Sequence, residues 1–372
     1  MSSVCIRGYG IVSTYGAGCA ELVAGLRRAR AEPVCLRDAP VPSLADVMAS
    51  PLPQGSFRFD LEGLHEIVMT AISEALASAG QRAPLADCAV LVGANTLALA
   101  EHNYLRHGAG ARPLIPHPGA LAERIARAVG TTGPVLTFST ACSSSANALL
   151  HARELILRGE VARALVVGVE SLAMITLSGF RSLMMLDVNG CRPFDVARDG
   201  FHPGEGAAAL LIEREGDGTR ILGGANFCDI HHATSPSPDG SGMARSMRAA
   251  LANAAVPAAS IVAIKAHATA SPDNDAAEAA AMKSMFGAAL PPFTALKRYL
   301  GHTSCACGAI ETVAFTAALA DGFVPAAAGF VDADPALGCA PLREALPARS
   351  GNYLLNYFGF GGNYASVVLA HA

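Results

Sequence analysis

Thr137-Phe138-Ser139-Thr140-Ala141-Cys142-Ser143-Ser144-Ser145 joins two different periodicities. Before it, Pro134-Val135-Leu136-Thr137-Phe138 is a short apolar run of strand length. After it, Leu149, Ala152, Leu155 and Ile156 recur at helical spacing. Cys142 therefore falls in a tight strand-to-helix turn built of small residues. A thiol at a helix N-terminus faces the positive end of the dipole, which favours the nucleophilic thiolate. A free cysteine is as readily a small buried hydrophobe, so the turn alone leaves both readings open.

Outward from this turn, the N-terminal side predicts a strand at Val4–Val12 and an irregular, proline-rich surface loop over residues 30–60. A helix follows at Leu61–Ala79, with Leu64, Ile67, Val68 and Ala71 on one face. Then come a buried strand (Cys88–Gly93), a helix (Thr96–Arg106), a loop (Pro113–Pro118) and a helix (Ala120–Val129). Beyond the cysteine, Ala164–Val169 and Ala207–Glu213 read as strands, the first buried on both faces.

The second half repeats this order. Strands are predicted at Arg220–Ile230 and Ile261–Ala266, with a helix at Ser246–Ala254 between them. Phe293–Lys297 enters a turn and a long helix, Cys305–Asp321, mirroring the surroundings of Cys142. Strands at Tyr353–Tyr357 and Ala365–Leu369 flank the glycine loop Gly359–Gly362. Two similar α/β halves, 1–215 and 216–372, imply an internal duplication folded as one compact unit.

Composition excludes several classes. With 52% hydrophobic and 16% charged residues, the chain builds a large core. Mean hydropathy is +0.36, yet no apolar run approaches the roughly 20 residues needed to cross a bilayer. The first residues lack a basic segment followed by an apolar one, so no secretory signal is expected. Ten cysteines occur without C-x-x-C pairs, and Cys305-Ala-Cys307 is not a zinc spacing. This predicts no metal and a reducing cytoplasm. A net charge of −4, no Trp and 6% aromatics argue against a nucleic-acid partner.

Three stretches carry further chemistry. The predicted strand 261–266 ends in His267-Ala-Thr269-Ala-Ser271-Pro272, with Asp275 and Glu278 beyond. Lys297-Arg-Tyr-Leu-Gly-His302 stands at the turn corresponding to that of Cys142, and Asn356-Tyr-Phe358-Gly-Phe360-Gly-Gly-Asn363 closes the chain. Two histidines end strands of one half while the cysteine turn holds the matching place in the other, so all three can meet at the pseudo-symmetry axis. Neutral imidazoles there would donate Nε2–H to a carbonyl oxygen, as a carbanion-forming reaction needs.

Taken together, Ser139–Ser144, Arg192-Pro-Phe-Asp195, Arg198-Asp-Gly-Phe201, Gly204-Glu-Gly206, His267-Ala-Thr269, Lys297…Gly301-His302-Thr303 and Phe358–Gly362 resemble, in order, the motifs of an elongating β-ketoacyl-acyl-carrier-protein synthase of the thiolase-like superfamily. The resemblance implies a five-layer αβαβα fold and a dimer, formed with itself or with a related ketosynthase-like subunit. It implies decarboxylative Claisen condensation in fatty acid, polyketide or polyene biosynthesis, with an acyl carrier protein as partner. No cofactor is implied beyond the carrier's phosphopantetheine arm.

By the same resemblance Cys142 would carry the acyl chain. His267 and His302 would stabilise the enolate, and the backbone N–H groups of Cys142 and Phe360 would hold the oxyanion. Lys297 and Glu311 would fix the polar network. Thr234, Thr269 and Ser271 would line the pantetheine channel, Phe358 and Phe360 would form a gate, and Phe180 would face the acyl tunnel. A thiolase-like enzyme acting on CoA thioesters is disfavoured, because Phe358–Gly362 lacks a second cysteine. A non-catalytic chain-length-factor-like subunit would lack the nucleophile.

The chain also departs from the family pattern. His-Gly-Thr-Gly-Thr has become His267-Ala-Thr-Ala-Ser271, Gly-Ala-Ala-Gly reads Cys305-Ala-Cys-Gly308, and a basic carrier-docking position falls at Met184. These changes point to a specialised pathway. Carrier docking is expected instead at Arg106 and Arg112, and less so at Arg27, Arg28 and Arg30.

Overall fold

The computed structural model of the chain describes residues 3–29, 31–39, 42–53, 60–95 and 117–372. The predicted helix Thr96–Arg106, most of the loop after it, and Arg30, Arg106 and Arg112 lie outside the described residues.

Ten strands follow one hydrogen-bonded path. They are β1 (Val4–Ser13), β2 (Cys88–Ala94), β3 (Val135–Phe138), β4 (Arg163–Glu170), β5 (Gly206–Glu213), β6 (Arg220–Cys228), β7 (Ile261–Lys265), β8 (Phe293–Thr294), β9 (Gly351–Gly359) and β10 (Asn363–His371). Their order is β8-β7-β9-β10-β6-β1-β5-β4-β2-β3. Read outward from the centre, the first half runs 1-5-4-2-3 and the second 6-10-9-7-8, the same order twice. Pairing senses repeat as well. β1–β5 and β5–β4 are antiparallel, as are β6–β10 and β10–β9, whereas β4–β2, β2–β3, β9–β7 and β7–β8 are parallel. The halves join edge to edge where Val4 and Cys5 of β1 oppose Ile221 and Arg220 of β6.

Six helices complete the repeat. In the first half, α1 (Leu61–Ser78), α2 (Ala120–Val129) and α3 (Ser144–Leu157) occupy the places that α4 (Ser241–Ala254), α5 (Pro272–Phe286) and α6 (Cys307–Ala320) hold in the second. α1 and α2 pack an apolar face on the outer side of the first sheet, sharing a core that includes Val68, Ile72, Ile125, Val90 and Leu165. α4 and α5 do the same on the second, with Met247, Met282 and Ile264. α3 and α6 lie between the sheets in the largest core, where Leu149, Ile310, Val313, Leu355 and Val367 meet. The layers are therefore αβαβα, as the resemblance implied. The central helices cross at Gly308, where a Cβ would fall 2.2 Å from the Ala146 nitrogen. That contact sets α6 directly against the start of α3, beside the cysteine turn.

Several predicted elements shift. The strand expected at Phe293–Lys297 is only two residues long, because Lys297–Leu300 forms a short helix that turns the chain into the site. A 3₁₀ turn, Ser304–Ala306, precedes α6, so the helix starts later than Cys305. α4 begins five residues before the predicted Ser246, because its first turn is rich in small residues that carry no periodic signal. Helices at Cys19–Arg27 and Met174–Ser182 and the whole of α5 were not anticipated. The proline-rich segment is not wholly surface loop. Leu44, Val47 and Ala49 are buried with Leu172 and Leu177 in a core of their own.

Candidate active site

β3 feeds a turn closed by its own hydroxyl groups. The Ser144 hydroxyl accepts the Thr140 N–H at 2.8 Å and donates to the Ala141 carbonyl at 2.6 Å, while the Ser143 hydroxyl donates to the Thr140 carbonyl at 2.8 Å. Ala141 holds a left-handed φ of 50°, which reverses the chain sharply and presents the next residue, Cys142. Ser145 ties the turn to the other half by donating to the Cys305 carbonyl at 2.7 Å and accepting the Ala309 N–H at 2.9 Å.

The structure brings Cys142, His267 and His302 together. One ligand atom from each lies within 4.8 Å of the others, and Cys142 Sγ is 3.1 Å from His302 Nε2. His302 follows the short helix Lys297–Leu300 and is fixed by its backbone, donating N–H to the His202 carbonyl at 2.7 Å. Among the described residues its Nδ1 has no hydrogen-bond partner, so nothing pins its tautomer. His267 stands at the end of β7. Glu278, from α5, accepts the His267 and Ala268 N–H groups at 2.8 Å each, and Asp275 accepts that of Ala270 at 3.1 Å. The two carboxylates noted beyond His267 thus hold the loop that carries it. Ala268 and Ala270, standing where the family has glycine, keep left-handed φ values of 53° and 60°.

Lys297 and Glu311 lie behind the imidazoles. Lys297 Nζ donates to Glu311 Oε1 at 2.6 Å and is 3.3 Å from His267 Nδ1. An ammonium at that distance has only protons to offer, so His267 must accept at Nδ1 and carry its own proton on Nε2. Sequence reasoning missed the third member of this cluster. Lys265 Nζ donates to Glu311 Oε2 at 2.5 Å and to the Asn356 carbonyl at 2.6 Å. Lys265 and Lys297 are both wholly buried. The signal available was a lysine closing the otherwise apolar strand Ile261–Ala266.

Electrostatics correct the expectation of an acidified thiol. Burial pushes the Cys142 thiol well above its usual range, and the neighbouring Cys307 and Cys305 add to this, against the opposing pull of Lys297 and the Phe360 N–H. Cys142 lies two residues before the first helical residue, Ser144. Burial, then Lys297, hold both His267 and His302 well below the usual imidazole range, hence neutral. Burial opposes the Lys297 ammonium, but Glu311, Cys307 and Cys142 together outweigh it and raise that group.

The three reactive groups open into a cavity of about 240 Å³. Every position named for substrate contact lines it: Thr234, Thr269, Ser271, Phe180, Phe358 and Phe360. Phe180 packs on Phe201 and Phe360, with ring centroids 5.0 and 6.3 Å away. Met184, at the docking position that is basic in the family, is 89% exposed at the rim. Gly359 leaves room at the turn, since a Cβ there would lie 2.9 Å from the Cys142 nitrogen and 3.3 Å from that of Ser143. A carbonyl oxygen bound to Cys142 could enter this space. Of the weaker docking candidates, Arg27 is already paired with Asp321 at 2.5 Å and stacked 4.4 Å above Phe323.

Comparison with known proteins agrees with this geometry. Residues 60–218 match the family model of the β-ketoacyl synthase N-terminal domain, and residues 219–331 that of its C-terminal domain. A putative polyketide β-ketoacyl synthase 1 of Streptomyces cyaneus is 35% identical over 272 residues, covering 68% of this chain and 64% of that protein. A 3-oxoacyl-[acyl-carrier-protein] synthase 2 of Mycobacterium bovis is 33% identical over 252 residues, covering 63% and 60%. The chain thus matches less than two thirds of the length of either relative. Among solved structures, the ishigamide ketosynthase/chain length factor superposes with a TM-score of 0.87 at 27% identity, covering 100% of this chain and 99% of that one.

Proposed function

Because this chain belongs to the β-ketoacyl synthase family, we propose that it catalyses decarboxylative condensation of a malonyl group with an acyl chain held on Cys142, both delivered by an acyl carrier protein. The observation that carries this reading is the Cys142–His302 contact at 3.1 Å, with His267 alongside, all three lining one cavity. In the first step Cys142 Sγ attacks the thioester carbonyl of the incoming acyl carrier. His302 Nε2 takes the thiol proton and returns it to the departing pantetheine thiolate. The backbone N–H groups of Cys142 and Phe360 bind the tetrahedral oxyanion.

In the second step a malonyl thioester loses carbon dioxide, and the electron pair left behind forms an enolate. The His267 Nε2–H holds its oxygen, joined by His302, which, with no partner fixing its Nδ1 among the described residues, changes tautomer and carries its proton on Nε2. The enolate carbon attacks the Cys142 thioester, and collapse of the adduct expels the Cys142 thiolate and forms a β-ketoacyl product on the carrier. Thr234, Thr269 and Ser271 would guide the pantetheine arm. Phe180, Phe358 and Phe360 supply the apolar wall for the acyl chain.

The partners proposed are the carrier protein and a second ketosynthase-like subunit, either a copy of this chain or a chain-length factor. The name of the ishigamide relative points to the latter kind of pairing. No described helix is long and apolar enough to cross a membrane, and none of the cysteines forms a disulfide. Both facts suit the cytoplasmic setting proposed here.

Intact mass of the protein after incubation with acyl-carrier proteins of varied acyl length tests the assignment. Wild type should gain one acyl mass and the Cys142→Ala variant none. Loading that persists in the variant would sink it. Cys142→Gln, which places an amide where the loaded thioester carbonyl would be, should retain malonyl decarboxylation.

A further inference from the structure

The steps above make no use of Lys265, although it sits two residues from His267. Its side chain is wholly buried and spans two parts of the site. On one side it takes the second oxygen of Glu311, whose first oxygen orients Lys297 towards His267 Nδ1. On the other it holds the Asn356 carbonyl, with its ammonium 3.7 Å from the centroid of the Tyr357 ring. Asn356 in turn donates its side-chain N–H to Glu278 at 3.2 Å, the carboxylate that accepts the His267 N–H. Lys265 therefore reaches both the side chain and the backbone of His267, the first through Glu311 and Lys297, the second through Asn356 and Glu278.

The charges surrounding His267 come from several elements. Lys265 ends its own strand, Lys297 comes from the short helix after β8, Glu311 from α6 and Glu278 from α5. His302 faces it with ring centroids 5.6 Å apart, Cys142 comes from the turn, and Asp199 and Asp273 line the cavity further out. In the buried shell the Lys265 and Lys297 ammoniums stand against Glu311 and Glu278, with the buried Asp275 carboxylate beyond them on the loop that carries His267. Removing Lys265 would shift this balance towards negative charge beside an imidazole, which favours protonation. A second ammonium on one carboxylate is also a poor way merely to stabilise a fold, since apolar packing does the same at lower desolvation cost.

We propose that Lys265 is a positioning residue for condensation: by completing the Lys265–Glu311–Lys297 bridge it holds His267 neutral, with its proton on Nε2 where the enolate oxygen forms. The proposal rests on the ketosynthase reading and deepens it. Lys265→Gln keeps a hydrogen-bond donor and removes the charge; Lys265→Met removes both.

Imidazole ¹⁵N NMR on the full-length, histidine-labelled protein reads the tautomer directly. In wild type, His267 should remain the neutral Nε2–H form below the usual imidazole pH. In both variants its protonation should move up by about one pH unit or more. The acid limb of malonyl-pantetheine thioester decarboxylation should move with it, and the rate at the acid side should fall about tenfold or more. A folded Lys265→Gln protein with the wild-type titration and acid limb would overturn the proposal, as would an effect confined to Lys265→Met. If neither variant folds, wild type still decides, because a wild-type His267 that titrates like an ordinary imidazole is equally fatal. Should His267 show the expected tautomer while wild type decarboxylates no malonyl thioester, the ketosynthase reading fails and the positioning role stands.

Discussion

His267 and His302 differ in what faces their second ring nitrogen, and that difference divides their work. Lys297 pins His267 as an Nε2–H donor, whereas His302 Nδ1 is unpartnered among the described residues and its Nε2 touches the thiol. With Cys142 pushed up by burial, a base must assist its attack, and only His302 is in place. His302→Ala should therefore slow both acyl loading and malonyl decarboxylation, while His267→Ala should slow decarboxylation alone. Loss of roughly 3 kcal/mol of enolate stabilisation corresponds to about 100-fold in rate. Loading followed by mass spectrometry, alongside release of carbon dioxide, separates the two; equal loading by both variants would contradict this division. Ala268 and Ala270 make a second prediction at this scale. A Cβ at left-handed φ costs about 1–2 kcal/mol, part of which glycine returns through the flexibility of the unfolded chain. Ala268→Gly and Ala270→Gly should each stabilise the fold by about 0.5–1 kcal/mol in denaturant titrations; unchanged or lower midpoints would contradict the strain argument.

At the scale of elements, the site depends on how strand ends meet the turn that carries His302. Glu170 ends β4 in a buried position, and its carboxyl accepts the Cys305 N–H at 3.3 Å in the 3₁₀ turn just beyond His302. Burial pushes this carboxyl up from 4.5 to about 8. Between those values the unfolded chain releases a proton that the folded chain keeps. Its contribution to stability is accordingly whole below pH 4.5 and is lost as pH rises towards 8. Glu170→Gln should remove that decline, so its stability relative to wild type should improve from pH 5 to pH 8. Parallel pH profiles of unfolding free energy for the two proteins would refute it.

For the whole molecule, the two ends of the sheet are treated differently. At one end β8 is buried, and the Phe293 carbonyl accepts the Leu342 N–H at 2.8 Å from the chain passing over it. At the other end no described strand pairs with the outer edge of β3, and Leu136 on it is 37% exposed. An open edge next to the nucleophile's turn is a template for another chain, and the subunit partner proposed above would dock there. Leu136→Glu should weaken association, seen as a shift to monomer in analytical ultracentrifugation, while leaving the monomer's circular dichroism unchanged. An unaltered dimer would place the interface elsewhere.

Local pattern alone was enough for much of this. The strand-to-helix turn around Cys142, the strand end carrying His267, and the repeated order of elements are set by periodicity and small residues within short windows, so they could be read from the chain; the short helix that delivers His302 could not. The glycine-like conformations of Ala268 and Ala270, the early start of α4 and the buried part of the proline-rich segment left no periodic trace, because tertiary contacts impose them. Only the folded structure decided the electrostatics. Which groups surround the Cys142 thiol, and which histidine faces it, depends on distances between residues more than a hundred positions apart. Lys265 is the sharpest case. In the sequence it is a charge at the end of an apolar strand, and its meaning appears only when folding sets Glu311, 46 positions away, between it and Lys297, because charge interactions sum over neighbours in space and not along the chain.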